Sequence, residues 1–523
     1  MKRRCRYGIL LMVFIACVVW QGGGASAHAE ASSDMLDQFI PGESEMGITP
    51  GERTLDYRQY PPDHYTWDLG YDLVEWKGWK PKLNNPFPIL LNWLSNGVFL
   101  ANTFIVRFCI FLMQLAFHTD LVNSQLSLVL PIMDGLRQSL FVKFLPFALV
   151  LLATWMVKVG YWNNQTTRLT SGVVGSLVVL IGSYWFFAYS GQSIRAISGT
   201  MDKLTQITMG SLAAPYQKVT GENVAAGITN IADQQLLATS NRLWKLFVDR
   251  PWLIGQLNRQ EVYEVTVTAS EAEAIRDKAE EDEVRLPVSA GDAWGHLLRE
   301  YSSGMVQRDI LRYVLGSQDV DHGNHADIVS LFWGGSAGIR CLIAFLSLLA
   351  SLTLLLFVGA VSLVLLLAQE LALVVIVLAP IVLLLGIFPE TGFAFVRRWI
   401  AWLIGVLGTK VVYGFYMGFT LLVADIVARG SGILMLQQIF VALLFFFAFL
   451  FRKKILRQIF SVFEAPTPHD IYDSSKREVL QHWGEAKQSW EQTKDTTRRA
   501  NATAKKFISR FKKKNEGSDG DDS

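Results

Sequence analysis

Apolar residues in this chain come in blocks. Between Arg340 and Phe451 four blocks follow one another with almost nothing between them, at residues 341–367, 371–388, 399–427 and 433–451. Three more stand upstream, at 89–117, 140–161 and 169–189. A helix needs about 20 apolar residues to cross a bilayer. The pattern therefore predicts an all-α polytopic membrane protein with about seven transmembrane helices.

The polar residues between the blocks set its orientation. Arg397 and Arg398 stand before the sixth block, and Arg452, Lys453 and Lys454 follow the last, whereas 369–370 and 429–432 are nearly bare of positive charge. Cytoplasmic flanks collect Lys and Arg, so both basic clusters are expected inside, with the carboxyl terminus cytoplasmic. At the other end Lys2, Arg3, Arg4 and Arg6 precede an apolar run at 9–20 and the small residues Ala25-Ser26-Ala27 and Ala27-His28-Ala29. That is the build of a cleavable signal peptide over 1–29, which leaves an exported, aromatic and Pro-rich segment at 30–87. A membrane domain of three spans follows at 88–190, then a large, mostly helical loop at 191–336, cytoplasmic by this count. Four spans occupy 337–451, and a charged helical tail 452–523.

Polar residues inside the blocks are not scattered. In the first block Asn92, Asn96, Thr103, Arg107 and Gln114 are spaced 4, 7, 4 and 7 residues apart, which on a helix keeps them within roughly 60° of one another. In the fourth, Arg340, Ser347, Ser351, Ser362 and Gln369 are spaced 7, 4, 11 and 7 apart. In the sixth, Lys410, Gly414 and Gly418 share a face, and the two glycines form a GxxxG contact. A charge at membrane depth costs several kcal/mol unless it meets a partner or water, so Arg107 and Lys410 cannot face lipid. Two readings stay open: the stripes glue helices together, or they line a hydrated path.

Composition narrows the class. Of 523 residues 51% are hydrophobic and 18% charged, with a mean hydropathy of +0.28, a membrane composition. A net charge of +2 argues against bulk nucleic-acid affinity, and four cysteines make no disulfide framework. No Gly-x-x-x-x-Gly-Lys-Ser/Thr loop, His-Glu-x-x-His or Gly-x-Ser-x-Gly motif occurs, so no catalytic residue, cofactor or metal is assigned. The histidines of Asp321-His322-Gly323-Asn324-His325 could ligate a metal, but they read as a solvated glycine-containing loop. The basic tail helix around Lys505, Lys506 and Lys512 suits anionic lipid.

The stretch Glu370-Leu-Ala-Leu-Val-Val-Ile-Val-Leu-Ala-Pro380, then Phe388-Pro-Glu-Thr-Gly392, then Arg397-Arg-Trp-Ile-Ala-Trp402 resembles the core of TrbL-like proteins. These are polytopic inner-membrane subunits of type IV secretion and conjugation machines, and the block order resembles the version on Gram-positive mobile elements. The resemblance implies a non-enzymatic channel or scaffold role in moving DNA as nucleoprotein across the cell membrane. It also implies an oligomer with other conjugation-machine membrane subunits and ATPases as partners, and transient contact with translocating DNA. The alternative is a stand-alone secondary transporter or exporter of a small solute or peptide. Such transporters show inverted repeats and broken helices; no repeat is found, although Pro380 could break the fifth span.

Overall fold

The computed structural model describes residues 56–70, 74–77, 80–83, 85–162, 165–220, 231–389, 392–430 and 434–462. The expected signal peptide and most of the charged tail lie outside the described residues. Helices dominate. A single antiparallel hairpin, β1 (Val74–Lys77) and β2 (Lys80–Leu83), is the one sheet among the described residues.

The first long helix, α1 (Phe87–His118), opens with Pro88 in its first turn, where the missing N–H costs nothing. Asp120 then caps the short turn Leu121–Ser124 by accepting from the Asn123 N–H. The apolar run α2 (Leu126–Tyr161) carries Pro131 and Pro146 inside it and π-helical turns at Arg137–Val142 and Lys158–Trp162. Such turns re-seat the backbone without ending the helix. α3 (Thr166–Ala188) and α4 (Ser190–Thr220) follow.

Downstream, α5 (Ile231–Trp244) runs through a π-helical turn into α6 (Arg250–Leu257). A small module then holds α7 (Ala269–Glu281), α8 (Trp294–Glu300) and α9 (Met305–Gly316). Residues 294–315 are broken into two helices at Ser302-Ser303-Gly304. The alternating stretch around Val265 makes only one bridge, Thr266 to Ala293, beside a turn at Val262–Glu264. The chain closes with α10 (Ala337–Val377), α11 (Ala379–Gly386), α12 (Gly392–Gly430) and α13 (Leu434–Val462).

Among the described residues six helices are long and apolar enough to cross a membrane: Phe87–His118, Leu126–Tyr161, Thr166–Ala188, Ala337–Val377, Gly392–Ala428 and Leu436–Lys454. The fifth expected span, 371–388, forms no long helix of its own, because the break at Gln369–Glu370 does not occur. α10 passes through it unbroken, for about 60 Å at 1.5 Å per residue. Gln369 needs no water: its amide donates to the Ala116 carbonyl at 3.2 Å and accepts from the Leu121 N–H at 3.0 Å. The helix ends at Val377, with Leu378 as its cap, and Pro380 sits in the first turn of α11. So 371–388 is the end of one helix plus a short second one, not a separate span.

The large loop is not a free-standing soluble part either. α4 packs along α12, and α5 along α1 and α4. The segment expected to be exported packs into it: Tyr57, Tyr65, Trp67 and Leu69 are buried, and Trp67 Nε1 donates to the Trp252 carbonyl at 2.9 Å. Gly255 makes room for it, since a Cβ there would fall 2.5 Å from the Trp67 indole. Arg308 reaches back to Asp68 at 2.9 Å and to Thr66 Oγ1 at 3.0 Å. Residues 56–70 and the helices α5 to α9 are one packed body.

Candidate functional site

The two polar stripes meet at Asn92 and Arg340. α1 and α10 are the most extensively packed pair of helices, and they run parallel: Asn92 meets Arg340 near one end, and Ala116 meets Gln369 near the other. Their facing polar groups form a seam with protein partners on both sides.

Arg340 anchors its lower end. The guanidinium is almost fully buried, donating from Nε to the Gly255 carbonyl at 2.9 Å and from Nη1 to Asn92 Oδ1 at 3.2 Å. Nη1 also donates to the Asp68 carbonyl, and the group lies over the Phe332 ring. Nη2 and the Gln438 Oε1 have no protein partner, and both residues line a cavity of about 130 Å³ with Pro251, Ile254 and Ile343. That volume is ample for a water, although the rest of the lining is mostly apolar.

The rest of the α1 stripe holds the packed segment. Asn92 donates to the Trp67 carbonyl at 3.0 Å, and Asn96 brackets the same residue, accepting from its N–H at 2.9 Å and donating to its carbonyl at 3.1 Å. Gln114 donates to the hydroxyls of Tyr57 at 3.0 Å and Ser240 at 3.1 Å. Thr103 bonds back to the Leu100 carbonyl within its own helix, and Arg107 is half-buried. On α10, Ser351 likewise bonds to the Leu348 carbonyl, whereas the buried hydroxyls of Ser347 and Ser362 have no partner.

Lys410 belongs to a separate knot. Its ammonium donates to Asp202 of α4 at 2.7 Å; Asp120, Ser198 and Gln369 line the same small pocket, and Ser198 donates to Asp120 at 3.2 Å. Burial raises the Asp202 carboxyl above its ordinary range even against the adjacent lysine. Gly414 is buried and Gly418 half-buried on α12, and Tyr416 between them donates to the Ala448 carbonyl of α13 at 2.7 Å. Arg397, Arg398, Lys453 and Lys454 are exposed, and Arg452 donates to the Phe449 carbonyl at 2.7 Å.

Two clusters carry no signal that apolar patterning could find. The first surrounds Arg299 of α8, which donates to Asp249 at 2.8 Å and stacks near Tyr60, Tyr65 and Trp252 at 5.0–5.5 Å. Burial opposes its charge, but Asp249 and Tyr65 outweigh burial and hold the guanidinium above its usual pKa. The second is Glu271 with His322 and His325. All three are buried, so the loop expected to be solvated at 321–327 is exposed except at its two histidines, which turn inward. Glu271 Oε1 lies 2.6 Å from His322 Nδ1 and 3.0 Å from His325 Nε2. Its Oε2 accepts from the Thr268 N–H at 2.8 Å, completing a capping box for α7, and from Trp294 Nε1 at 3.2 Å. Burial raises this carboxyl, but bonds from His322, Thr268 and His325 outweigh it and hold the pKa below the ordinary value.

No protein-family profile, curated protein or solved structure matches this chain.

Proposed function

We propose that the chain is a non-enzymatic scaffold of the membrane channel in a conjugative type IV secretion apparatus, one that carries DNA as nucleoprotein across the cell membrane. The observation that carries the reading is the seam. Asn92, Asn96, Gln114, Arg340 and Gln369 spend their hydrogen bonds on protein groups of α1, α10, α6 and residues 56–70. A stripe so occupied supports a rigid frame for an attached module, in preference to a conduit running between α1 and α10. The TrbL-like stretch over 370–402 and the lack of a nucleotide loop in the sequence support the same role, with separate ATPases driving transfer and lipid and other membrane subunits as neighbours.

The contacts also support an orientation. α12 returns antiparallel to α10: Lys410 lies in one pocket with Gln369, while Asp425 pairs with Arg250 at 3.6 Å, nearer the module. α13 then leads away again, from Gln438 beside Arg340 to Ala448 beside Tyr416. Both basic clusters, Arg397–Arg398 and Arg452–Lys454, thus lie at the helix ends remote from the module. By the preference of cytoplasmic flanks for positive charge, those ends face the cytoplasm, and the module faces outward with residues 56–70. On this reading the large loop lies outside. Deleting the gene from a donor strain tests the function: transfer of the mobile element should fall by several orders of magnitude and return on complementation. Transfer at the wild-type frequency would end the proposal.

A further inference from the structure

We propose that Glu271, His322 and His325 form a binding site for a divalent transition-metal ion, zinc by ligand chemistry, in the module packed on residues 56–70. The three donor atoms lie within 4.8 Å of one another, and all three residues are buried. Helix capping explains only half of Glu271. Its Oε2 serves the capping box and Trp294, yet two imidazoles converge on Oε1, which no cap requires. Gly323 lets them converge: its φ of +56° turns the chain sharply between the histidines, a conformation other residues adopt at a cost.

The outer contacts point the same way. His322 Nε2 lies 2.8 Å from the Ser317 carbonyl. A carbonyl only accepts, so Nε2 carries a proton, and Nδ1 faces the carboxylate either through a second proton, as imidazolium, or as a lone pair across a metal ion. Two lone pairs 2.6 Å apart repel unless a cation sits between them. A metal-bound histidine characteristically gives its other N–H to a carbonyl or carboxylate, and a ligating carboxylate is itself hydrogen-bonded; both conditions are met here. Two imidazoles and one carboxylate suit zinc better than the all-oxygen preference of calcium or magnesium. Bonds of about 2.1 Å place tetrahedral donors roughly 3.4 Å apart, so loading spreads the pairs now at 2.6 and 3.0 Å and draws the two imidazole nitrogens, within 4.8 Å of one another, together by up to about 1.4 Å. The ion would tie the loop after α9 to the start of α7.

The full-length protein in detergent, stripped with chelator and then exposed to zinc chloride, decides the matter. Wild type and His118→Gln, whose histidine belongs to a different pair, should each retain about one zinc per chain after washing. Glu271→Gln, His322→Gln and His325→Gln should each retain at least tenfold less while eluting from size exclusion as wild type does. His325→Cys, which keeps a ligating atom, should retain the metal. A second readout needs no variant: chelator should lower the thermal midpoint of wild type, and zinc but not magnesium should restore it. Zinc-free wild type, undiminished zinc in the glutamine variants, or a midpoint indifferent to chelator and zinc would each overturn the proposal. The last result would show that a proton, not a metal, bridges the carboxylate and the imidazole.

Discussion

Ser347 and Ser362 separate a structural seam from a wetted path. Their hydroxyls are buried on α10 without a partner, and an unpaired buried hydroxyl is a burden on the fold. Replacing each by alanine removes the polar group and improves helix propensity. The variants Ser347→Ala and Ser362→Ala should therefore be neutral or more stable by roughly 1 kcal/mol. Thermal unfolding in detergent checks this, with DNA transfer kept at the wild-type level. Loss of transfer at unchanged stability would mean that water or substrate uses these hydroxyls, and the scaffold reading would fail. The spacing of the stripes was legible because helical period is a property of the chain alone. Their partners were not, since Asn92 and Arg340 are 248 residues apart and only folding brings them together.

At the scale of elements, the continuity of α10 is the clearest departure from the apolar pattern. Gln369 and Glu370 interrupt the apolar run, but both are good helix formers, and hydropathy does not register that Gln369 finds its partners at the end of α1. α5 and α6 were hidden for the converse reason. Asp233, Ser240, Asp249 and Arg250 make them look soluble, yet their partners are His118, Gln114, Arg299 and Asp425, all within the protein. Buried polar helices of this kind leave no trace in an apolar window. A three-residue insertion, Gly-Ser-Gly, after Glu370 tests the point. A surface loop would accept it. In a continuous helix it rotates everything downstream by about 300° and should sharply reduce the accumulated protein, as measured by immunoblot of membranes.

For the whole molecule, the side of the module is the most direct question. The exposed Ser289, in the loop before α8, is a suitable probe. In a background lacking the four native cysteines, Ser289→Cys should react with an impermeant maleimide on intact cells, and Lys454→Cys should react only after lysis. Protection of residue 289 in cells would put the module inside and reverse the orientation of every helix. The charge clusters bear on the side of the carboxyl terminus from the sequence alone. The side of the loop rests on a count of spans, and that count changes where one apolar run continues its neighbour's helix.

The contact between residues 56–70 and the module also sets a timetable. Thr66 and Trp67 find their partners at Arg308 and Trp252, 242 and 185 residues later in the chain. At roughly 5–20 residues per second, the ribosome needs about 10–50 s to supply them. Throughout that interval α1 alone offers partners, Asn92, Asn96 and Phe99 to Trp67 and Gln114 to Tyr57, while the faces that the module later covers stay bare. Part of an adhesive stretch is thus exposed for roughly a third to a half of the time these 523 residues take to make. Chains stalled at residue 245 should be clipped by protease near Tyr65 and Trp67, and chains stalled beyond residue 350 should be protected there; equal cleavage of both would mean the segment finds its shelter before the module exists.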